Sequence, residues 1–168
     1  MIKEKTIKDT SITIAQVMLP QDTNPAGNVH GGVIMKLIDT AAAVVASRHA
    51  RCNTVTASID RLVFHHPVYV GDVLFLKASL NMVGKSSMEV GVRVEAENYV
   101  TGECRHTASA YLTFVALDEK GQPKAVPGLA LETEQETRRH QEALTRKKSR
   151  LELRKKEDDC QHKGICSI

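Results

Sequence analysis

Apolar and polar residues alternate along most of the chain, and one stretch replaces the alternation with a helical repeat. Residues 10–19 form a β-favouring run around Ile12 and Ile14, which predicts a first strand. The next stretch, PQDTNPAGN, is polar and is punctuated by the pairs Asn24-Pro25 and Gly27-Asn28. These residues are typical of loops, so a strand and then a long loop open the predicted fold.

The helical repeat runs from Gly31 to about Ala50. Its apolar residues recur at steps of three and four, at Ile34, Leu37, Ile38, Ala41 and Val45. The opposite face is also mostly Ala, Val and Met, and a helix that is apolar nearly all round is typically enclosed by other structure. We therefore expect this helix to be buried on both sides.

Four strand-like runs follow the helix, at residues 53–66, 73–83, 88–100 and 105–117. The separators between them are short and turn-like, which favours antiparallel neighbours. The pattern predicts an α+β fold with one strand, one buried helix and a four-stranded antiparallel meander. The resulting five-stranded twisted sheet would curl around the central helix.

After Pro127 the sequence becomes dense in charge and sparse in leucine. It predicts a solvated C-terminal helix that packs weakly on the body and frays toward Ile168. The basic run Arg146, Lys147, Lys148 and Arg150 is interpreted as a charged exterior face balanced by nearby glutamates. We therefore divide the chain into a domain at residues 1–128 and a helical extension at 129–168.

Composition narrows the class of protein. A length of 168 residues suits one core, and the net charge of +3 arises from 23 basic and 20 acidic residues that are mixed along the chain. That mixture argues against a nucleic-acid binder. The first residues lack the apolar run of a signal peptide, and no stretch reaches the roughly 18 apolar residues of a membrane span, so we expect a cytoplasmic protein without a membrane partner.

The cysteines and histidines do not indicate a metal site. The four cysteines lack C-x-x-C spacing, and we interpret them as reduced, incidental thiols, disfavouring a soft-metal site in the tail CQHKGIC around His162. Structural or surface roles are expected for the remaining candidates, His30, His49, His65, His66 and His106. No metal and no cofactor are predicted.

Asp39 is the first candidate for chemistry, because it lies among apolar and small residues in IMKLIDTAAAVVA. A buried carboxylate is costly unless it is paired or used, and burial would raise its pKa and help it act as a base or nucleophile near neutral pH. The alternative is that a Lys or Arg neutralises it.

A second group of candidates stands at the start of the same helix, in GNVHGG. Gly31 and Gly32 would let a ligand approach the free backbone N–H groups, and Asn28 precedes them. Such donors suit the charge that develops on a carbonyl oxygen. Because Asp39 lies two turns into the helix, about 10 Å or more from that start, we expect a site shared by two antiparallel protomers.

The turn GKSS is a weaker candidate. Gly84, Lys85, Ser86 and Ser87 offer backbone N–H groups, an ammonium and two hydroxyls, which suit a phosphate. An ordinary β-turn is the alternative.

These segments together resemble the acyl-CoA thioesterase (acyl-CoA hydrolase) family with a hotdog fold. The resemblance runs over residues 8–128, through LPQDTNPAGNVHGGVIMKLID, HHPVYVGDVL, VGKSSMEVGVRVEAEN and ASAYLTFVALDEKGQP. It implies a dimer, commonly a trimer of dimers, that hydrolyses acyl-CoA, with CoA as part of the substrate. It also implies a catalytic Asp39, a role for Asn28 in the partner half of the site, and contacts of Gly84–Ser87 with the CoA nucleotide.

Two alternatives to hydrolysis remain open at this point. A hotdog dehydratase or hydratase would use a histidine and an acid across the interface, and His30 is the candidate near the helix. A non-catalytic module that binds acyl-CoA would keep the pocket without turnover.

Overall fold

The computed structural model describes residues 4–162, with side chains up to residue 159. Seven strands, two helices and a 3-10 turn follow each other along this part of the chain: β1 Lys5–Thr6, β2 Ile12–Val17, the 3-10 turn Pro20–Asp22, α1 Gly31–Ala50, β3 Asn53–Phe64, β4 Val73–Val83, β5 Ser87–Asn98, β6 Glu103–Leu117, β7 Leu129–Ala130 and α2 Glu134–His162. The helix and the strands predicted from the hydrophobic pattern are confirmed. The short strands β1 and β7, which form a separate parallel pair, were not predicted.

The chain divides into two compact units, one up to Leu131 and the other from Glu132 onward. In the second unit the start of α2 is fixed by a capping box: the Thr133 hydroxyl accepts from Glu136 N at 3.2 Å, and the Glu136 carboxylate accepts from Thr133 N at 3.1 Å. An ion pair between Arg138 and Glu142, one turn apart at 2.7 Å, supports the same helix. The charged C-terminal helix is thus confirmed, while the domain boundary after residue 128 stays a prediction.

The order of strands corrects one expectation. The five-stranded antiparallel sheet has the order β2-β4-β5-β6-β3, so β4, β5 and β6 form a meander but β3 pairs with β6 at the far edge. The link between α1 and β3 is only Arg51 and Cys52, which keeps β3 beside the end of the helix. The eight residues from 65 to 72 then return to β4; they span up to about 27 Å, and three strand spacings need only about 14 Å.

Helix α1 packs on one face of this sheet, which we call the inner face. Alternate residues of β5, from Met88 through Val92 to Ala96, point to that face and are buried. Ala41, Ala42 and Ala46 are fully buried where the helix meets the sheet. Their small side chains set how closely helix and sheet approach, and a larger side chain there would overpack the core by about 1–3 kcal/mol.

The other side of α1 is not enclosed by its own protomer. Met35 and Val44 are 40% and 39% exposed. The expectation that the sheet buries the helix on both sides is therefore wrong for one protomer, because a sheet of five strands covers only one side of a helix this long. This side of α1 therefore carries exposed apolar residues that another protein surface could cover.

The C-terminal end of α1 is held by the first strand. The Lys5 ammonium donates to the carbonyls of Arg48 and His49 at 3.1 and 2.6 Å, where a cation also complements the helix dipole. His49 is fully buried, and its Nε2 lies 2.8 Å from the Pro127 carbonyl. Because a carbonyl only accepts, Nε2 donates, and Nδ1 is a buried nitrogen without a partner among the described residues.

We predict that His49 makes the protein less stable in acid. Burial, as the main cause, and the Lys5 charge lower the pKa of His49 below its ordinary 6.5, despite the opposing Pro127 carbonyl. Below about pH 6.5 the His49 side chain is protonated in the unfolded chain but still neutral in the folded chain. The contribution of neutral His49 to the free energy of unfolding is therefore complete above about pH 6.5 and is lost as the pH falls toward the pKa of the folded state. Thermal unfolding between neutral and mildly acidic pH should show a shallower acid loss for His49→Gln than for wild type. The control His66→Gln, at an exposed position, should keep the wild-type slope; equal slopes for all three proteins would refute the prediction.

Candidate active site

Asp39 lies half-buried on α1 and faces the edge strand β3. The Thr56 hydroxyl donates to its Oδ1 at 2.7 Å. Thr56 points to the inner face because it pairs with Phe114, whose side chain is buried in the core. The bond fixes the direction of the carboxylate and leaves it able to accept a proton from water or to attack a carbonyl.

Asp39 has no neutralising cation in the described part of its own protomer. Among residues 4–159 it forms no ion pair with a Lys, Arg or His. The alternative that a Lys or Arg neutralises Asp39 is therefore not observed among the described residues. Thr56 was not predicted from the sequence, since its hydrogen bond with Asp39 depends on β3 lying at the edge beside the helix rather than in a meander.

Gly31 and Gly32 have different roles at the start of α1. His30 is the N-cap residue, and its Nδ1 accepts from Gly32 N at 2.9 Å. A Cβ on Gly32 would lie 3.0 Å from that nitrogen, a tight contact that would push the His30 ring by a few tenths of an ångström. The N–H of Gly32 is therefore occupied, and the N–H of Gly31 is the donor that the cap does not use.

Gly31 lies against the end of β3. A Cβ at Gly31 would be 3.5 Å from the Phe64 ring, an ordinary contact distance, and Phe64 is 46% exposed. The first turn of the helix thus opens beside an apolar ring at the surface. This setting suits a thioester whose carbonyl meets the helix start while its acyl chain follows apolar residues.

The loop before the helix holds two asparagines in different ways. Asn24 Oδ1 accepts from Ala26 N at 2.9 Å and from Asn28 N at 3.3 Å, which orients its amide group. The Asn28 backbone is bound as well, because its carbonyl accepts from Asn24 N at 2.7 Å. Both side chains are half-buried, so both are candidates for a donor to the substrate.

One protomer does not bring Asp39 to the start of its own helix. Asp39 stands eight positions after Gly31 on α1, which is about 12 Å along the helix axis. The geometric expectation that Asp39 cannot act on a carbonyl held at its own helix start therefore stands.

The GKSS turn lies at the other end of the sheet from the helix start. Gly31 contacts Phe64, which pairs with Ala108 near the beginning of β6, whereas Ser87 pairs with Val115 near its end. The turn is closed by Gly84 N donating to the Ser87 carbonyl at 2.7 Å. The carbonyls of Ser86 and Lys85 accept from the backbone N–H groups of residues 116 and 126, at 2.9 and 3.0 Å, and the Lys85 side chain is exposed.

Beside Asp39 runs the free edge of the sheet, which carries exposed apolar side chains. Strand β3 has a sheet neighbour on one side only, and Val55 and Ile59 on it are 41% and 42% exposed. Together with Met35 and Val44 of α1 these residues form what we call the α1–β3 edge. A long, apolar edge strand is a template for pairing with another chain.

The described residues hold neither a metal site nor a helix suited to a bilayer. Within residues 4–159 no group of three His, Cys, Asp or Glu side chains is arranged to hold a metal ion. The tail around His162 lies outside the described side chains. Neither helix in the described range has the length and hydrophobicity that a bilayer crossing demands.

Comparison with known proteins identifies the family. The model of the thioesterase superfamily matches residues 26–103. The uncharacterized acyl-CoA thioester hydrolase YkhA of Bacillus subtilis is 41% identical over 143 residues, covering 85% of this chain and 83% of YkhA. The cytosolic acyl coenzyme A thioester hydrolase of Mus musculus is 37% identical over 84% of this chain, which spans 38% of the mouse protein.

Solved structures agree with these relatives. An apo-hexameric acyl-CoA thioesterase superposes with a TM-score of 0.87 at 39% identity, over 90% of this chain and 97% of that one. The acyl-CoA hydrolase of Staphylococcus aureus, solved with butyryl coenzyme A, coenzyme A and coenzyme A disulfide, gives 0.88 at 34% identity over 97% and 99%. The helix in its curled antiparallel sheet is the hotdog fold. The chain belongs to the acyl-CoA thioester hydrolase family of the thioesterase superfamily.

The Staphylococcus aureus enzyme has also been solved as three alanine variants. They replace an aspartate, an asparagine fifteen residues before it, and a threonine seventeen residues after it. The asparagine variant was solved with coenzyme A.

Proposed function

We propose that this chain hydrolyses the thioester of acyl-CoA, to free CoA and a carboxylic acid, at a site shared by two protomers. The observation that carries the proposal is the pair formed by Asp39 and Thr56 at 2.7 Å, beside an apolar edge and without a cationic partner among the described residues. A carboxylate in this setting can activate water or attack directly. Because a thiolate is a good leaving group, the reaction needs no cofactor, and CoA is part of the substrate.

Pairing of two copies along the α1–β3 edge supports the shared site. Two β3 strands that pair antiparallel continue the sheet across the pair and cover Val55 and Ile59. The two α1 helices then lie antiparallel below them. Asp39 of one protomer would face the Gly31 N–H of the other, which would stabilise the oxyanion.

Spacing favours Asn24 as the asparagine of this site. In this chain Asn24 and Thr56 lie fifteen residues before and seventeen after Asp39, as do the residues varied in the Staphylococcus aureus enzyme. Asn28, carried over from the resemblance, lies only eleven residues before Asp39. Because these two N–H groups occupy the amide oxygen of Asn24, its NH₂ group is the part of the side chain that can donate to a substrate.

We therefore expect Asn24→Ala to reduce kcat by about 10²–10³, the usual loss of one oxyanion donor. Asn28→Ala is the matched control in the same loop and should keep kcat within about tenfold. Steady-state thiol release from butyryl-CoA by the two variants measures both values. The reverse order of losses would restore Asn28 as the donor.

The GKSS turn can contact the CoA nucleotide of a substrate bound at the helix start only if the turn comes from the partner protomer. In one protomer it lies at the far end of the sheet from Gly31. An antiparallel partner would reverse that direction, so its exposed Lys85 and the hydroxyls of Ser86 and Ser87 would stand at the same end as the helix start. We assign Gly84–Ser87 to the CoA phosphates on this basis.

The relatives support our proposals for assembly and location. A homo-oligomer agrees with the hexameric thioesterase structure, and we propose a trimer of dimers as its arrangement. A cytoplasmic location agrees with the mouse relative, which is named cytosolic.

A screen of thiol release from acetyl-CoA to palmitoyl-CoA tests the proposed reaction. A hydrolase releases free thiol, whereas a hydratase leaves the thioester intact and a binding module shows no turnover at any chain length. Absence of thiol release over the whole series, with acyl-CoA still bound, would replace the proposal by the binding module.

A further inference from the structure

Two histidine rings contact each other just beyond the end of β3. His65 follows Phe64, the last residue of β3, and His106 lies on the neighbouring strand β6. The centroids of the two rings are 4.8 Å apart, and the ring planes are tilted by 41°. That separation is typical of aromatic rings in contact. We call His65 and His106 the histidine pair.

A β-bulge in β6 lies next to this contact. The pairing of β5 with β6 shifts by one residue between Val94 and Glu95, which leaves Thr107 as the extra residue of β6. The Thr107 carbonyl accepts from the backbone N–H of His65 at 2.7 Å. The bulge therefore ties the chain to β6 immediately after Phe64, beyond the last regular pair of the two strands.

Hydrogen bonds select one neutral form of His106. Its Nε2 lies 3.1 Å from the Ala108 carbonyl and 2.8 Å from the Ser109 hydroxyl oxygen. Because a carbonyl only accepts, Nε2 carries the hydrogen, and Nδ1 carries none in the neutral ring. A further bond holds the next residue of the connection, with His66 Nδ1 donating to the His106 carbonyl at 2.9 Å. A second proton on His106 would go to Nδ1 and give the ring a positive charge.

The surroundings of His106 oppose that charge. Burial, as the largest cause, and then the charges of Arg93 and His65 lower the pKa of His106 below its ordinary 6.5. A backbone carbonyl and the Glu95 carboxylate act in the opposite direction, but the net direction is downward. The contact between the rings therefore favours the neutral form of His106.

The one carboxylate that acts on His106 is already bound by two cations. Glu95 accepts from Arg93 at 2.7 Å and from Lys77 at 2.5 Å. Glu97 and Cys104 pair one row further along the same face of the sheet. A proton on either ring of the histidine pair would therefore add to an excess of positive charge.

Phe64 connects the histidine pair to the proposed active site. Its ring lies 3.5 Å from the point where a Cβ on Gly31 would stand, and Gly31 carries the N–H that the helix cap does not use. The β3–β4 connection is also tied to the loop before α1, because Val29 N donates to the Val68 carbonyl at 2.8 Å. A change in residues 65–68 therefore reaches both the ring beside Gly31 and the chain that leads into the helix.

We propose that the histidine pair positions Phe64 for substrate binding, holding its ring beside Gly31 while both histidines are neutral and releasing it when they are protonated. The inference rests on the proposed function, in which the thioester of acyl-CoA lies at the start of α1. Both histidines act through Phe64, so they are positioning residues. Two protonated rings in contact repel each other. Because the held form lowers the pKa of His106, protonation favours the released form, and the affinity for acyl-CoA falls as the pH drops through that pKa.

Calorimetric titration of butyryl-CoA into the Asp39→Asn enzyme tests this inference, because turnover does not interfere with binding there. The Kd should rise by roughly tenfold between about pH 7.5 and about pH 5.5, which corresponds to losing about half of the apolar contact of an aromatic ring. Adding His65→Phe keeps a ring against His106 and removes one charge, so the rise should shrink to about threefold or less. Adding His65→Ala removes the ring contact and should weaken binding already at the higher pH.

Two further variants in the same background show whether the pair acts through Phe64. Phe64→Ala should bind weakly at both pH values and show no acid rise, since the positioned ring is gone. His66→Gln is the matched control, because glutamine can still donate to the His106 carbonyl, and it should keep the full acid rise. Titration of the phosphates of the substrate is common to all the proteins and cancels in the comparison.

The outcomes separate this inference from the proposed function. An acid rise in His65→Phe equal to that of the Asp39→Asn enzyme would overturn the inference, while binding at the higher pH would leave the proposed site in place. Absence of butyryl-CoA binding at both pH values would overturn the proposed site and the inference together. An unchanged circular dichroism spectrum of each variant at both pH values guards against unfolding as the cause of weaker binding.

Discussion

Replacing Asp39 by Asn should lower kcat for butyryl-CoA by about 10³-fold or more, because the amide can neither take a proton from water nor attack the thioester. Asn keeps the size of the side chain and can still accept from Thr56, so the α1–β3 packing should be unchanged. KM should change little if the carboxylate acts mainly in the transition state. Thiol release under saturating substrate measures kcat.

Asp118→Asn is the matched control for that experiment. Asp118 is an exposed aspartate whose Oδ1 accepts from two backbone N–H groups in a turn, and an amide oxygen can replace it there. The control should keep wild-type kinetics. An Asp39→Asn enzyme within about tenfold of wild type would remove Asp39 from the chemistry.

A single turnover in water labelled with ¹⁸O then distinguishes the two roles of the carboxylate. If Asp39 attacks the thioester and water then attacks the Cγ carbon of the mixed anhydride, the C–O bond to Cγ breaks, the label enters the Asp39 carboxylate, and the released acid leaves with an oxygen from Asp39. Label in Asp39 is therefore the result that identifies the nucleophile. If Asp39 activates water, the label enters the released acid directly and Asp39 stays unlabelled.

The second large effect is recovery of activity from two inactive variants. Asp39→Asn and Asn24→Ala, mixed in equal amounts, unfolded and refolded together, should regain about a quarter of the wild-type activity. Half of the dimers are then mixed, and each mixed dimer has one site that receives Asp39 from one chain and Asn24 from the other. Thiol release after refolding measures the recovery.

Each variant refolded alone is the control for this mixture and should remain inactive. If the site lay within a single protomer, no mixture would contain an intact one, and activity would stay at the level of the controls. The experiment therefore tests the sharing of the site separately from the identity of the base.

The local pattern was sufficient to predict the elements of this fold. Alternation in β5 and the three-and-four repeat of α1 depend on which side of each element is buried, and that information is present in consecutive residues. The pairing of β3 with β6 could not be obtained in this way, because it depends on the path of the loops at residues 18–30 and 65–72. The meander was the simplest order for short connections, and it was wrong for that strand.

Some residues of the candidate site could likewise be predicted from the local sequence, and others could not. Asp39 stands out in the sequence because an acid is unusual among apolar helix residues. Thr56 does not, since threonine is common in strands and only the edge position of β3 brings it to Asp39. The cap formed by His30 was equally hidden, because its ring bonds a backbone N–H only after the loop has set its direction.

The unpaired side of β3 makes the activity of this chain depend on its concentration. If each site takes residues from two chains, dilution below the dissociation constant of the dimer leaves mostly inactive protomers, even when substrate is saturating. An isolated protomer would also expose the unpaired backbone N–H and C=O groups along one side of the twelve-residue strand β3, where another unfolded or unassembled chain could pair with them. Mass action would then govern both when the enzyme works and how safely its chains are synthesised.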